Sequence, residues 1–143
     1  DQDQEQAVYW VKLAAEQGHE RAQSILGFLY GLGEGVEKDQ EQALYWWKLA
    51  AEQGDVLSRI NLGVAFLHGE GVEPDQDKAV YWLKPAAATG NSDAQYILGA
   101  CYDGTIGRQE LEEAVYWFKL AAEQGHDRAQ IDLGLKLCPR KRP

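Results

Sequence analysis

The sequence predicts an all-α solenoid of antiparallel helix pairs, and two observations carry that expectation. The segment AVYWVKLAAEQG at Ala7 returns as ALYWWKLAAEQG at Ala43, AVYWLKPAAATG at Ala79 and AVYWFKLAAEQG at Ala114, giving periods of 36, 36 and 35 residues. A fixed period in the range of roughly 20–50 residues marks stacked units, each of which buries its apolar face only against its neighbours. Composition is the second observation. Alanine, leucine, glutamate, glutamine and lysine, all good helix formers, dominate the repeated blocks, and only four prolines interrupt the 143 residues.

Taken in order, residues 1–18 read as the second helix (B) of a truncated unit, and full units follow at 19–54, 55–90 and 91–125. Residues 126–143 read as a C-terminal capping helix and tail. The repeats are treated as one domain. Each B helix ends at Gly18, Gly54, Gly90 or Gly125, where a left-handed residue closes a helix and glycine is favoured. The first helix (A) of the next unit starts just beyond, at His19, Asp55, Asn91 or His126. Asp55 and Asn91 have N-cap chemistry, and Asp39 and Asp75 are candidate caps for helix B. In the second B helix, Ala43, Trp46, Trp47, Ala50 and Ala51 share one face, while Tyr45 and Leu49 lie round the other side. A helix so nearly apolar all round is expected to be covered twice. Residues 1–17 have no preceding helix A and should leave part of Val8, Tyr9, Val11 and Leu13 uncovered. That surface is open to contacts, including self-association.

Composition also narrows the partners. A formal charge of −9 argues against nucleic acid and anionic membranes, both of which call for a basic footprint. No apolar run approaches the ~18 residues of a membrane span. The opening inside a repeat leads to the expectation of a longer array, of which this chain holds the C-terminal end; the compartment is left open. Cys101 and Cys138 form neither a metal-ligand spacing nor a disulfide framework.

The pattern A-x-x-x-L-G-x-x-Y, then G-x-G-V-x-x-D, then A-x-x-W-x-x-x-A-A-x-x-G resembles the Sel-one-like repeat family, relatives of the tetratricopeptide repeat. It is carried by Ala22, Leu26, Gly27, Tyr30, Gly33, Gly35, Val36, Asp39, Ala43, Trp46, Ala50, Ala51 and Gly54, and recurs over nearly the whole chain. The resemblance implies a right-handed superhelix serving as a protein-binding scaffold, in bacteria often tied to envelope, signalling or host-contact functions. It implies no catalytic residues.

Departures from the repeat are informative. Pro85 replaces Leu13, Leu49 and Leu120 deep in a B helix, where it removes a hydrogen bond and crowds the Tyr81 carbonyl, so a kink is expected there. Asp103-Gly104-Thr105-Ile106-Gly107 lacks the G-x-G-V turn and one residue, which should alter the third connection. Asp132 and Lys136 stand where earlier units carry Ile25, Asn61 and Ile97 or Leu29, Ala65 and Cys101. Spaced four apart, they could pair across the face where another helix would dock; with Pro139 and Arg140-Lys141-Arg142 they suggest a cap.

Chemical motifs are weaker. Gly31-x-Gly33-x-Gly35 and Gly69-x-Gly71 follow a helix rather than a strand and lack a P-loop lysine, so they read as turns. The three histidines do not cluster with cysteines or paired carboxylates, and no nucleophile arrangement is visible. No cofactor, metal or catalytic residue is assigned. The better signal is that helix B is nearly constant while the side of helix A turned away from it varies. By analogy with tetratricopeptide packing, a concave groove would be lined by Arg21, Ser24 and Phe28; Leu57, Ile60, Val64 and His68; Asp93, Tyr96, Ala100 and Asp103; and Arg128, Ile131 and Leu135. Apolar positions with charges at intervals suit a peptide or protein segment. The expected function is a non-enzymatic protein-interaction scaffold. The alternatives are an enzyme or small-ligand binder in which His19, His68 or Asp103 converge on a pocket, and a structural spacer.

Overall fold

The computed structural model describes residues 2–104 and 107–138. Among them the chain forms eight helices and no strand: α1 (Gln2–Glu16), α2 (Glu20–Leu32), α3 (Gln40–Glu52), α4 (Val56–His68), α5 (Gln76–Ala88), α6 (Ser92–Asp103), α7 (Arg108–Glu123) and α8 (Asp127–Leu137). The odd-numbered helices are the expected B helices and the even-numbered ones the A helices. By compactness the chain divides into Asp1–Ala79 and Val80–Pro143, the division falling inside α5.

Local chemistry sets the helix ends. His19, Asp39, Asp55, Asp75, Asn91 and His126 each accept a hydrogen bond from the backbone N–H three residues on, at 2.9–3.3 Å. Such a cap is worth ~1 kcal/mol, because the first turn of a helix has no internal acceptor for its N–H groups. The two histidines therefore cap as the acidic residues do, through Nδ1. Helix α7 differs: Gly107 precedes it without a side-chain cap. Of the altered third connection, Thr105 and Ile106 lie outside the described residues, as do Pro139 and the basic tail Arg140-Lys141-Arg142.

In the first unit, α2 packs against α1 and α3. Val8, Ala15, Ala22, Leu26 and Trp46 form a buried cluster, flanked by Val11, Ala14, Leu29, Tyr30, Val36 and Leu49. Helices α2 and α3 approach through glycine, since a Cβ on Gly27 would lie 2.5 Å from Trp47 Cδ1 and one on Gly31 3.4 Å from Trp47 Cη2. The second unit repeats the device with Phe118, whose Cδ1 would lie 2.7 Å from a Cβ on Gly99. In α8 the corresponding glycine, Gly134, has nothing within 4 Å. Gly35 adopts φ 73°, and a Cβ there would meet Val8 Cγ2 at 2.6 Å, so this glycine serves a turn pressed onto α1.

A buried glutamine ties three helices together in each unit. Gln23 is only 4% exposed; its Nε2 donates to the Ala15 carbonyl (3.2 Å), and its Oε1 accepts from Gln53 Nε2 (2.7 Å). Gln95 does the same with the Ala87 carbonyl (3.3 Å) and Gln124 Nε2 (2.8 Å). Each thereby adds a second donor to a C-terminal carbonyl, Ala15 or Ala87, that already accepts from the N–H of Gly18 or Gly90.

Two expectations change. Val8 is buried, not open, while Tyr9 is exposed and Trp10 is 63% exposed against 8% for its counterparts Trp46 and Trp117. Val11 and Leu13 are half-buried. The B helices are not covered all round: Tyr45, Tyr81 and Tyr116 are exposed like Tyr9, each edge-on to the following tryptophan at 5.0–5.1 Å. Helix α5 runs through Pro85 to Ala88.

Two stability measurements follow. Gly27→Ala and Gly99→Ala should each cost ~1–3 kcal/mol, because the added methyl overpacks against a ring. Gly134→Ala should raise stability by up to ~1 kcal/mol through helix propensity alone. Denaturant melts in dilute solution check the contrast, and equal effects at the three glycines would contradict it. Pro85→Leu restores an N–H for the Tyr81 carbonyl and should stabilise by ~1–3 kcal/mol; an unchanged melt would show that α5 carries no proline cost.

Candidate protein-binding surface

The clearest constellation lies in the second unit, where α6 and α8 present side chains to each other. Tyr96 of α6 is held on several sides. Its ring stacks on His126 (centroids 4.7 Å, 20° between planes) and lies against Phe118 (5.6 Å), and its hydroxyl donates to Asp132 Oδ2 at 2.8 Å. The His126 Nδ1 is occupied as the α8 cap, so the neutral ring carries its proton on Nε2, which donates to Asp93 Oδ1 at 3.1 Å. Arg128 extends over the Tyr96 ring, with its guanidinium carbon 6.0 Å from the centroid. Lys136 pairs with Asp103.

Two shallow depressions sharing Asp132 result. One is lined by Tyr96, Arg128, Ile131 and Asp132, the other by Asp103, Asp132, Leu135 and Lys136. Ile131 and Leu135 are 62% and 65% exposed. Burial raises the Tyr96 pKa, and the hydrogen bond and negative charge of Asp132 raise it further.

The expected pairing of Asp132 with Lys136 is thus replaced by pairings back to α6. Position along α8 decided this: these residues face the preceding A helix rather than the side where a further helix would dock. Asp93, Tyr96, Asp103, Arg128, Ile131 and Leu135 belong to this surface or its edge. In the first unit Arg21, Phe28, Leu57 and His68 are exposed, Ser24 and Val64 half-buried, and Ile60 is 9% exposed and belongs to the core. Sequence reasoning missed His126 as a brace for Tyr96, and it missed the repeated exposed tyrosines. The recurrence of Tyr before Trp in every B helix was the signal for the latter. Asp103 is engaged by Lys136, and no group of three or more His, Cys, Asp or Glu suited to a metal occurs among the described residues.

The Sel1 repeat model matches residues 1–19, 20–55, 56–91 and 92–126. The chain belongs to the Sel1 repeat family. No curated protein matches it. Among solved structures it is similar to a protective antigen present in uropathogenic Escherichia coli strains and displaying an SLR fold, with 32% identity and a TM-score of 0.85 over 92% of this chain. It is also similar to a Sel1 repeat protein from Oxalobacter formigenes, with 41% identity and a TM-score of 0.79 over 92% of this chain. The chain spans 29% and 38% of those two proteins. The all-α solenoid expectation therefore holds, and Sel1 repeats are in general non-catalytic scaffolds for protein–protein contacts. Helix α8, with Arg128, Ile131 and Leu135, lies wholly beyond the four matched Sel1 segments.

The Tyr96–Asp132 bond can be measured. Tyr96→Phe should cost ~0.5–1.5 kcal/mol at neutral pH, the net worth of one hydrogen bond. Because the folded-state pKa of Tyr96 is raised, this stabilisation is complete below the ordinary tyrosine range and lost as pH rises through the folded value. Denaturant melts of parent and variant should converge in strong alkali; a gap independent of pH would refute the assignment.

Proposed function

We propose that the chain is a non-enzymatic binding module that holds a peptide or protein segment on the A-helix face, centred in the second unit on Tyr96, Arg128, Ile131 and Leu135. The supporting observation is the pre-ordered Tyr96. A ring clamped by His126, Phe118 and Asp132 loses little further freedom on binding, while exposed aliphatics and an arginine surround it. Aromatic and arginine side chains on a rigid support are the usual hot spots of protein interfaces. Arg128 has no ion-pair partner among the described residues, so the favoured segment carries a carboxylate beside apolar anchors. Arg21 and Phe28 offer the same combination in the first unit.

Quantitative binding to a partner captured by the immobilised chain tests this. Arg128→Ala, Ile131→Ala and Phe28→Ala should each weaken binding by ~1–3 kcal/mol with unchanged helicity, whereas Lys48→Ala and Glu52→Ala on α3 should not. Tyr96→Ala is a poorer probe, since its bracing makes it structural as well. Binding lost on Tyr45→Ala but untouched by the first three substitutions would move the site to the tyrosines of the B helices.

A further inference from the structure

The solvent face of α3 carries charges in an order that is its own complement. Tyr45 is 56% exposed, and its ring stands edge-on to that of Trp46 at 5.1 Å, itself only 8% exposed. Glu41 lies four residues before Tyr45, and Lys48 and Glu52 lie three and seven after it; all are exposed, and the spacing puts the four on one stripe of the helix. Lys38, also exposed, stands just before the cap Asp39 at the N-terminal end. Read from that end, the order is positive, negative, tyrosine, positive, negative.

Among the described residues, Lys38, Glu41, Lys48 and Glu52 form no ion pair within the chain, although Lys48 and Glu52 have the spacing for one. Nor does the face owe its exposure to where the chain begins or ends. Helix α3 packs against both α2 and α4, and Tyr45 stays exposed with both in place.

The other B helices keep the tyrosine but lose part of the order. Gln2 and Gln109 stand at the place of Lys38 in α1 and α7, and Ala88 stands at that of Glu52 in α5. In α7 the acidic residue before the tyrosine, Glu112, is already held by Arg108 at 3.3 Å. Only α3 carries all four charges without a partner in its own chain.

Reversing the order inverts every sign. Two such helices laid antiparallel therefore set each charge against an opposite one, whereas a parallel pair would set like against like. We propose that α3 docks on α3 of a second copy, antiparallel about a two-fold axis at Tyr45. Glu41 meets the partner's Lys48, Glu52 meets the partner's Lys38, and the two tyrosines, each braced by its own Trp46, pack at the centre. The contact is isologous and closes at two copies. Its charges are exposed, so the dimer is weak and loosens with salt. This surface is separate from the A-helix face, and the pairing does not depend on what that face binds.

Sedimentation of the 143-residue chain over a range of concentration tests this, with circular dichroism to check that each variant folds. Glu41→Lys and Lys48→Glu each bring like charges together at two symmetry-related places. Either alone should weaken the dimer more than about tenfold, even though Glu41→Lys lowers the net negative charge and with it any general repulsion between copies. The double variant restores the complementary order and should dimerise as the parent does, and an equimolar mixture of the two single variants should recover a heterodimer. A parent that stays monomeric up to about 1 mM, single reversals that leave association unchanged, or a double reversal that fails to recover it would each overturn the proposal.

Discussion

The structure rests on the seating of a B-helix side chain against a glycine of the A helix before it. Without a Cβ at Gly27 or Gly99 the two backbones come close enough for Trp47 or Phe118 to fill the interval. That closeness lets the buried glutamine reach both a preceding helix end and the following one. It also brings the second glycine of the G-x-G-V turn onto the previous B helix at Val8. A repeat protein has no central core, so a contact reproduced at each unit does the work that a core does elsewhere.

The same contact has costs. Trp46 and Trp47 bury indole N–H groups without an acceptor among the described residues, whereas Trp117 donates to Glu113 at 3.2 Å. An unpaired buried donor is unfavourable, and the first unit tolerates two of them for the sake of aromatic packing. Burial also pushes the Cys101 thiol up to about 11, which keeps it protonated near neutrality and makes it part of the packing.

Because helix B is committed to packing on its buried side, variation collects on the outer side of helix A. In the second unit this has produced a tyrosine fixed by stacking and a hydrogen bond, with Arg128 and Ile131 beside it. Sel1 repeat proteins of known structure share the framework.

The helices and their ends were legible in the sequence because their signals act within one turn. A side-chain oxygen or nitrogen three residues before an N–H, or a glycine at the last turn, specifies its geometry without reference to the rest of the chain, and the period of the repeats specified the fold class. Which way a side chain turned was decided only by tertiary structure. Asp132 and Lys136 have the spacing of an intrahelical pair but are drawn to Tyr96 and Asp103 by a neighbouring helix. Ile60 has the spacing of a groove residue and is buried. Gln23 and Gln95 look like surface residues until the end of another helix supplies their acceptor. For Asp132, Lys136 and the two glutamines the deciding partner lies on another helix, so its effect becomes visible only when the helices are placed side by side.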